Sequence, residues 1–159
     1  MFCPRLEHFV RLNQDGTIGK CGHMVKAKGF KTFNELHNSQ WLKKIQMDMI
    51  SDDWPDECIR CKQTEDTTGE SIRTKSITRH KMLHPLKEDY LVVGGVLDNI
   101  CNSACQTCNA GLSTKIGSLE KNYIKTNNYN KFFKLPQSRI LEVDVNGGEP
   151  TASKNYKKL

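Results

Sequence analysis

The chain has 159 residues, 36% of them hydrophobic, and its 24 Lys and Arg outweigh 18 Asp and Glu to leave a net charge of +6. That length suits one ordinary domain or two small ones, and no stretch approaches the roughly 18 consecutive apolar residues of a membrane span. The start, Met1-Phe2-Cys3-Pro4-Arg5, lacks the apolar core of a secretory signal, so a cytoplasmic protein with no membrane partner is expected.

Taken in chain order, His8 to Leu12 and Thr17 to Cys21 flank Asn13-Gln14-Asp15-Gly16, a hairpin signal that returns Cys21 to the neighbourhood of Cys3. Phe33 to Leu36 suggests a short helical turn. Ser39 is a candidate N-cap for a helix to about Met49, with Trp41, Leu42, Ile45 and Met49 on its core face. Trp54-Pro55 ends that element, and Cys58-Ile59-Arg60-Cys61 follows. Residues 62 to 88 are polar, with helix expected around Ser71 to Met82. Here Glu65, Glu70 and Arg73 read as a solvated helix face with local ion pairs, and His80 and His84 as surface residues.

His84-Pro85 marks an expected boundary between domains 1–85 and 86–159. Tyr90 to Leu97 is apolar on both parities, as buried parallel strands are, although Gly94-Gly95 weakens the pattern. Leu112, Ile116, Leu119 and Tyr123 recur at helical spacing and predict a helix over Ser113 to Ile124. Phe132, Phe133 and Leu135 are expected to return to the core. Leu141, Val143 and Val145 alternate with Glu142 and Asp144, which predicts a second strand with an exposed edge. Lys154 to Leu159 resembles the start of another helix. The expected class is α/β: a small Cys-rich hairpin-plus-helix module of α+β type, then one βαβ unit.

Seven cysteines are an odd number, so they cannot all pair within one chain, and in a reducing compartment they point to metal. They divide as four plus three. Cys101, Cys105 and Cys108 have the spacing C-x3-C-x2-C, directly after the apolar strand and with no histidine between them. Three thiolates on one loop suit three irons of a [4Fe–4S] cube whose fourth iron stays open, whereas structural zinc wants four ligands. Cys3, Cys21, Cys58 and Cys61 form the other group. By spacing they fit a structural zinc or a fully ligated [4Fe–4S] cluster equally well, with His23 a further nitrogen. The basic excess is spread along the chain and reads as solvated surface more than as a nucleic-acid footprint.

The C-x3-C-x2-C loop after a strand, followed by Gly147-Gly148-Glu149-Pro150 after the next, resembles the radical S-adenosylmethionine (radical SAM) superfamily. One departure is Thr107, where the family often has an aromatic residue. The resemblance implies that Cys101, Cys105 and Cys108 ligate a cluster whose open iron is chelated by SAM. Reductive cleavage of SAM would then give a 5′-deoxyadenosyl radical that abstracts a substrate hydrogen. It also implies that Gly147, Gly148, Glu149 and Pro150 bind the SAM amino group, and that a donor such as flavodoxin or ferredoxin supplies the electron. Residues 1–85 resemble the twitch module, a shorter relative of SPASM, through Cys3-Pro4, the Asp15-Gly16 hairpin, the Trp41 helix, Trp54-Pro55, Cys58 and Cys61. That likeness implies an auxiliary [4Fe–4S] cluster on Cys3, Cys21, Cys58 and Cys61.

A full eight-unit barrel takes about 250 residues, so residues 86–159 are expected to supply only the first βαβ part of a TIM-like core. The chain would then be a fragment or truncated product, or a second chain would complete the barrel, and alone it would not turn over. The substrate, whether peptide, nucleoside or metabolite, is not legible. The competing expectation is a non-catalytic zinc-binding protein that contacts nucleic acid or protein.

Overall fold

The computed structural model describes residues 1–159. Its first turn forms where Asp15-Gly16 predicts it. Asp15 Oδ1 accepts from the Thr17 N–H at 2.9 Å and from the Thr17 hydroxyl at 2.7 Å. Strands β1 (Phe9–Leu12) and β2 (Ile18–Gly19) pair antiparallel across it. Helix α1 (Pro4–His8) leads into β1, with Pro4 in the first turn, where its missing N–H costs no bond.

The helices follow their caps. Thr32 opens α2 (Phe33–Asn38) by accepting from the Glu35 N–H, and Ser39 opens α3 (Gln40–Ile50) by accepting from the Leu42 N–H, each at 3.2 Å. Leu42, Ile45 and Met49 are buried as the apolar period predicts, and half-buried Trp41 donates its indole N–H to Glu57 Oε1 at 3.0 Å. Helix α4 (Ile59–Thr68) has no buried residue, so no apolar period announces it; it ends on Gly69 in the left-handed region. Ser71 and Thr74 form a reciprocal capping box at the head of α5 (Ile72–Leu83).

Strand β3 (Leu91–Val96) pairs in parallel with β1, and β4 (Ile140–Asn146) pairs in parallel with β3. The result is an open mixed sheet in the order β2-β1-β3-β4. It crosses the expected boundary at residue 85. One apolar core joins Leu6, Val10, Leu12, Leu36 and Met49 from the first half to Leu91, Val93, Leu97 and Phe132 from the second. The close approach of β1 to β3 depends on Gly95. Its φ is +95°, and a Cβ there would lie 2.2 Å from the Leu12 carbonyl oxygen.

Three expectations for the segments after the cysteine loop need correction. The helix after the cysteine loop, α6 (Thr114–Leu119), stops well short of Ile124, and Leu119 and Tyr123 are 61% and 77% exposed. The buried Asn99 side chain explains the early stop. It donates to the Ile124 carbonyl at 2.7 Å and accepts from the Thr126 N–H at 3.0 Å, which draws that segment off the helical path. The short α7 (Tyr129–Phe133) buries Phe132 but leaves Phe133 exposed. The C-terminus makes only a 3-10 turn over Tyr156–Lys158. Strand β4 itself forms as expected. It pairs with β3 alone, so its outer edge is free, and Leu141 and Val143 are exposed. No helix is long and apolar enough to cross a membrane.

His80 is half-buried rather than a free surface residue. Its Nδ1 lies 3.0 Å from the Tyr90 hydroxyl, and its ring stands 5.1 Å from that of His8 and 4.9 Å from that of His84. Burial pushes both His8 and His80 below the ordinary imidazole value, and His84 pushes the same way on each. The folded chain therefore holds these rings neutral where the unfolded chain, titrating near 6.5, already takes up protons. Stability is fully present above that value and falls as the pH drops below it. Thermal melts at pH 7.5 and 5.5 should show a lower Tm at 5.5, with a smaller drop in His80→Gln. An equal drop in both proteins would count against this linkage.

Candidate metal centres

Local structure gathers four of the cysteines. Cys3 precedes α1, Cys21 follows β2, Cys58 is the N-cap of α4 and Cys61 lies in its first turn. All four line one cavity walled by Leu6, Met24, Met49, Trp54 and Ile72. Burial pushes the Cys3 thiol up to about 11 and the Cys58 thiol up to about 12, and neighbouring cysteines add to both. Burial also raises Cys61. These thiols resist losing protons on their own, and a bound cation reverses that preference.

The His23 N–H donates to Cys21 Sγ at 3.4 Å. Donors of this kind stabilise thiolate charge.

Positive charge collects around the cavity. After burial itself, Arg5, Arg60 and Arg11 are what hold His23 below its ordinary value. None of these three arginines belongs to any of the chain's ion pairs. The Arg5 guanidinium lies 3.7 Å from the Phe9 ring centroid, and its Nε is buried without a hydrogen-bond partner. Lys20, only 3% exposed, donates to the Glu7 carbonyl at 3.1 Å, and burial pushes its ammonium down to about 8.

Glu65 and Arg73 do not form a solvated helix face. They make a largely buried fork, in which Arg73 Nε donates to Glu65 Oε1 at 2.9 Å and Nη2 donates to Oε2. Ser71 donates to the same Oε1 at 2.5 Å, and Arg73 Nη1 donates to the Phe2 carbonyl at 2.9 Å. The fork ties the chain before Cys3 to the helices that carry Cys61. Glu70 is exposed and takes no part.

The other three cysteines sit on the loop that leaves the C-terminal end of β3. Cys105 is exposed, and Cys101 and Cys108 are half-buried. Thr114 clamps the base of the loop. Its Oγ1 accepts from the Cys101 N–H at 3.0 Å and donates to the Cys101 carbonyl at 3.1 Å. The Cys108 N–H donates to the Cys105 carbonyl at 3.1 Å, and the Ser103 N–H donates to Cys101 Sγ at 3.4 Å.

Gly147 to Pro150 leaves the neighbouring strand end and packs against this loop. The Gly148 N–H donates to the Leu112 carbonyl at 2.7 Å, and the Glu149 N–H donates to the Ile100 carbonyl at 2.8 Å. Gly148 has φ +66°, and a Cβ there would stand 2.9 to 3.1 Å from Asp98 and the Ile100 carbonyl. The chain's own backbone thus requires this glycine, apart from any ligand. Glu149 Oε1 accepts from the Thr151 N–H and hydroxyl at 3.2 and 3.1 Å.

Sequence patterning missed the polar residues that fix this junction. Asp98 is fully buried; its Oδ1 accepts from the Ile100 N–H at 3.1 Å, and its Oδ2 accepts from Ser153 at 2.5 Å and Asn155 at 2.7 Å. Asp98-Asn99 at the end of an apolar strand was the available signal, because buried polar side chains need partners.

The two cysteine groups lie at opposite ends of the sheet. Cys3 and Cys21 flank the end where β1 begins, and the loop cysteines follow the end where β3 stops. At 3.3 Å per residue, the six residues of β3 span about 20 Å. No group of three or more Cys, His, Asp or Glu side chains is placed to hold a single metal ion. No family model, curated protein or solved structure matches the chain.

Replacing Gly148 by Ala should cost about 1–3 kcal/mol, because a Cβ is both strained at this φ and opposed by backbone atoms. That corresponds to a Tm lower by several degrees in a thermal melt. A change of less than about one degree would mean that the loop junction tolerates the side chain.

Proposed function

We propose that the chain is an iron–sulfur protein of the radical SAM type with a second, fully ligated cluster in its first half. The observation that carries the reading is the junction at the C-terminal ends of two parallel strands, where ligands bind in α/β folds. There the Glu149 N–H binds the Ile100 carbonyl, next to Cys101, so the Gly147 to Pro150 loop adjoins the three-cysteine loop. Cys101, Cys105 and Cys108 would hold three irons. With SAM bound, the cluster would supply reductive cleavage to a 5′-deoxyadenosyl radical for hydrogen abstraction from substrate. The chain itself anchors the loop through Thr114 and fixes the neighbouring turn through Asp98, while Cys105 stands at the solvent side of the loop.

Cys3, Cys21, Cys58 and Cys61 would hold an auxiliary [4Fe–4S] cluster. Four thiolates concentrate negative charge, and unpaired Arg5, Arg11 and Arg60 with buried Lys20 offset it. Zinc holds four thiolates at about 2.3 Å, hence with sulfurs about 3.8 Å apart, whereas a four-iron cube spreads them more widely. That all four cysteines line one cavity supports a single shared centre. Further strands, from a longer polypeptide or a second chain, would pair with the free edge of β4 to complete the core, and a flavodoxin or ferredoxin would supply electrons.

Protein reconstituted without oxygen should be brown, with about eight irons per chain. Cys101→Ala and Cys58→Ala should each lose about half of that iron while the other cluster stays. SAM should alter the EPR signal of reduced Cys58→Ala and leave that of reduced Cys101→Ala unchanged. Colourless protein with stoichiometric zinc would overturn the proposal in favour of a zinc-binding protein.

A further inference from the structure

Register places two rows of side chains on one face of the sheet. Phe9, Val92 and Glu142 lie in one row across β1, β3 and β4, and Arg11, Gly94 and Asp144 lie in the next. The opposite face carries buried Val10, Leu12 and Val93 and belongs to the core. Helix α5 lies over the polar face and leaves a groove with Phe9 and Val92 as an apolar floor. Arg5, Lys75, Arg79, Glu142 and Asp144 supply its charge.

Only one pair of these charges is satisfied: Arg79 Nε donates to Glu142 Oε2 at 2.6 Å. The side chains of Arg5, Lys75 and Asp144 form no ion pair, although they face the same space. Opposite charges that share a groove without meeting leave a span for a ligand carrying both signs. Arg5 is the fixed end. Stacking on Phe9 holds its guanidinium, and its buried Nε has no partner in the chain. Its two Nη groups make no hydrogen bond within the chain, and a carboxylate matches that pair in two-pronged fashion.

The groove also adjoins the four-cysteine cavity. Arg5 and Ile72 line it and wall the four-cysteine cavity as well, while Asp144 stands on β4 just before the turn at Gly147. We propose that this groove binds a zwitterionic ligand, a free amino acid or short peptide. Its carboxylate meets Arg5 and Lys75, its ammonium meets Asp144, and its apolar part lies over Phe9 and Val92. That this ligand is the substrate of the radical chemistry rests on the function proposed above; the binding itself does not.

Calorimetric titration of the full reconstituted chain tests the assignment, with leucine and Gly-Leu-Gly as probes beside N-acetylated and C-amidated forms of each. At least one free probe should bind saturably, and blocking either end should weaken it by about tenfold or more. Arg5→Met and Asp144→Asn should each cause a similar loss. Asp144 is exposed, so its replacement tests the groove even if Arg5→Met disturbs folding, which circular dichroism reports. Cys101→Ala should bind the probes like the unaltered chain, which separates failure of the groove from failure of the cluster. Absence of saturable binding, binding indifferent to Asp144→Asn, or binding of inorganic phosphate alone would each overturn the zwitterion assignment.

Discussion

The parallel pairing of β1 with β3 organises the rest of the molecule. It sets Phe9 beside Val92 and Leu12 beside Gly95, and it needs a residue without a Cβ at the last of these positions. Through this pairing a hairpin from the first half becomes part of the sheet that carries the second. The buried side chains of the two halves then form one core, with Leu12 and Leu36 in the same cluster as Leu91 and Phe132. The same pairing decides where the cysteines lie. Parallel strands have distinct ends, so one group stands where β1 begins and the other where β3 stops.

Charge distribution supports this geometry. Lys20 is buried and Arg5 walls the four-cysteine cavity without an ion-pair partner, and such charges are costly in an otherwise neutral pocket. They become favourable when the pocket holds a negative centre. The Glu65–Arg73 fork, by contrast, is self-neutralising and ties the chain before Cys3 to helix α5. The pocket therefore contains two kinds of arginine. One kind is satisfied within the chain and organises the scaffold, and the other is left unpaired beside sulfur.

Much of this was legible in the residues. Asp15-Gly16 located the hairpin, Ser39 located a helix start, and the alternation from Leu141 to Val145 located a strand. The four-cysteine set could be grouped because the hairpin returns Cys21 toward Cys3. Patterning failed where individual polar contacts override periodicity. Leu112, Ile116, Leu119 and Tyr123 share a helical period, but Asn99 captures Ile124 and Thr126, and the helix ends early. Helix α4 has no buried face, so only Gly69 marked its end. The link between the halves was equally hidden, because alternation within a strand does not name its partner.

Long-range pairing also has a consequence for biosynthesis. Strand β1 leaves the ribosome early, and its partner β3 follows only after all the helices of the first half. At 5–20 residues per second, that interval is on the order of ten seconds. During it, Cys3, Cys21, Cys58 and Cys61 are already translated while the floor that steadies their scaffold is not. The scaffold that gathers these four cysteines is thus complete only once Val92 and Gly95 have emerged to pair with β1.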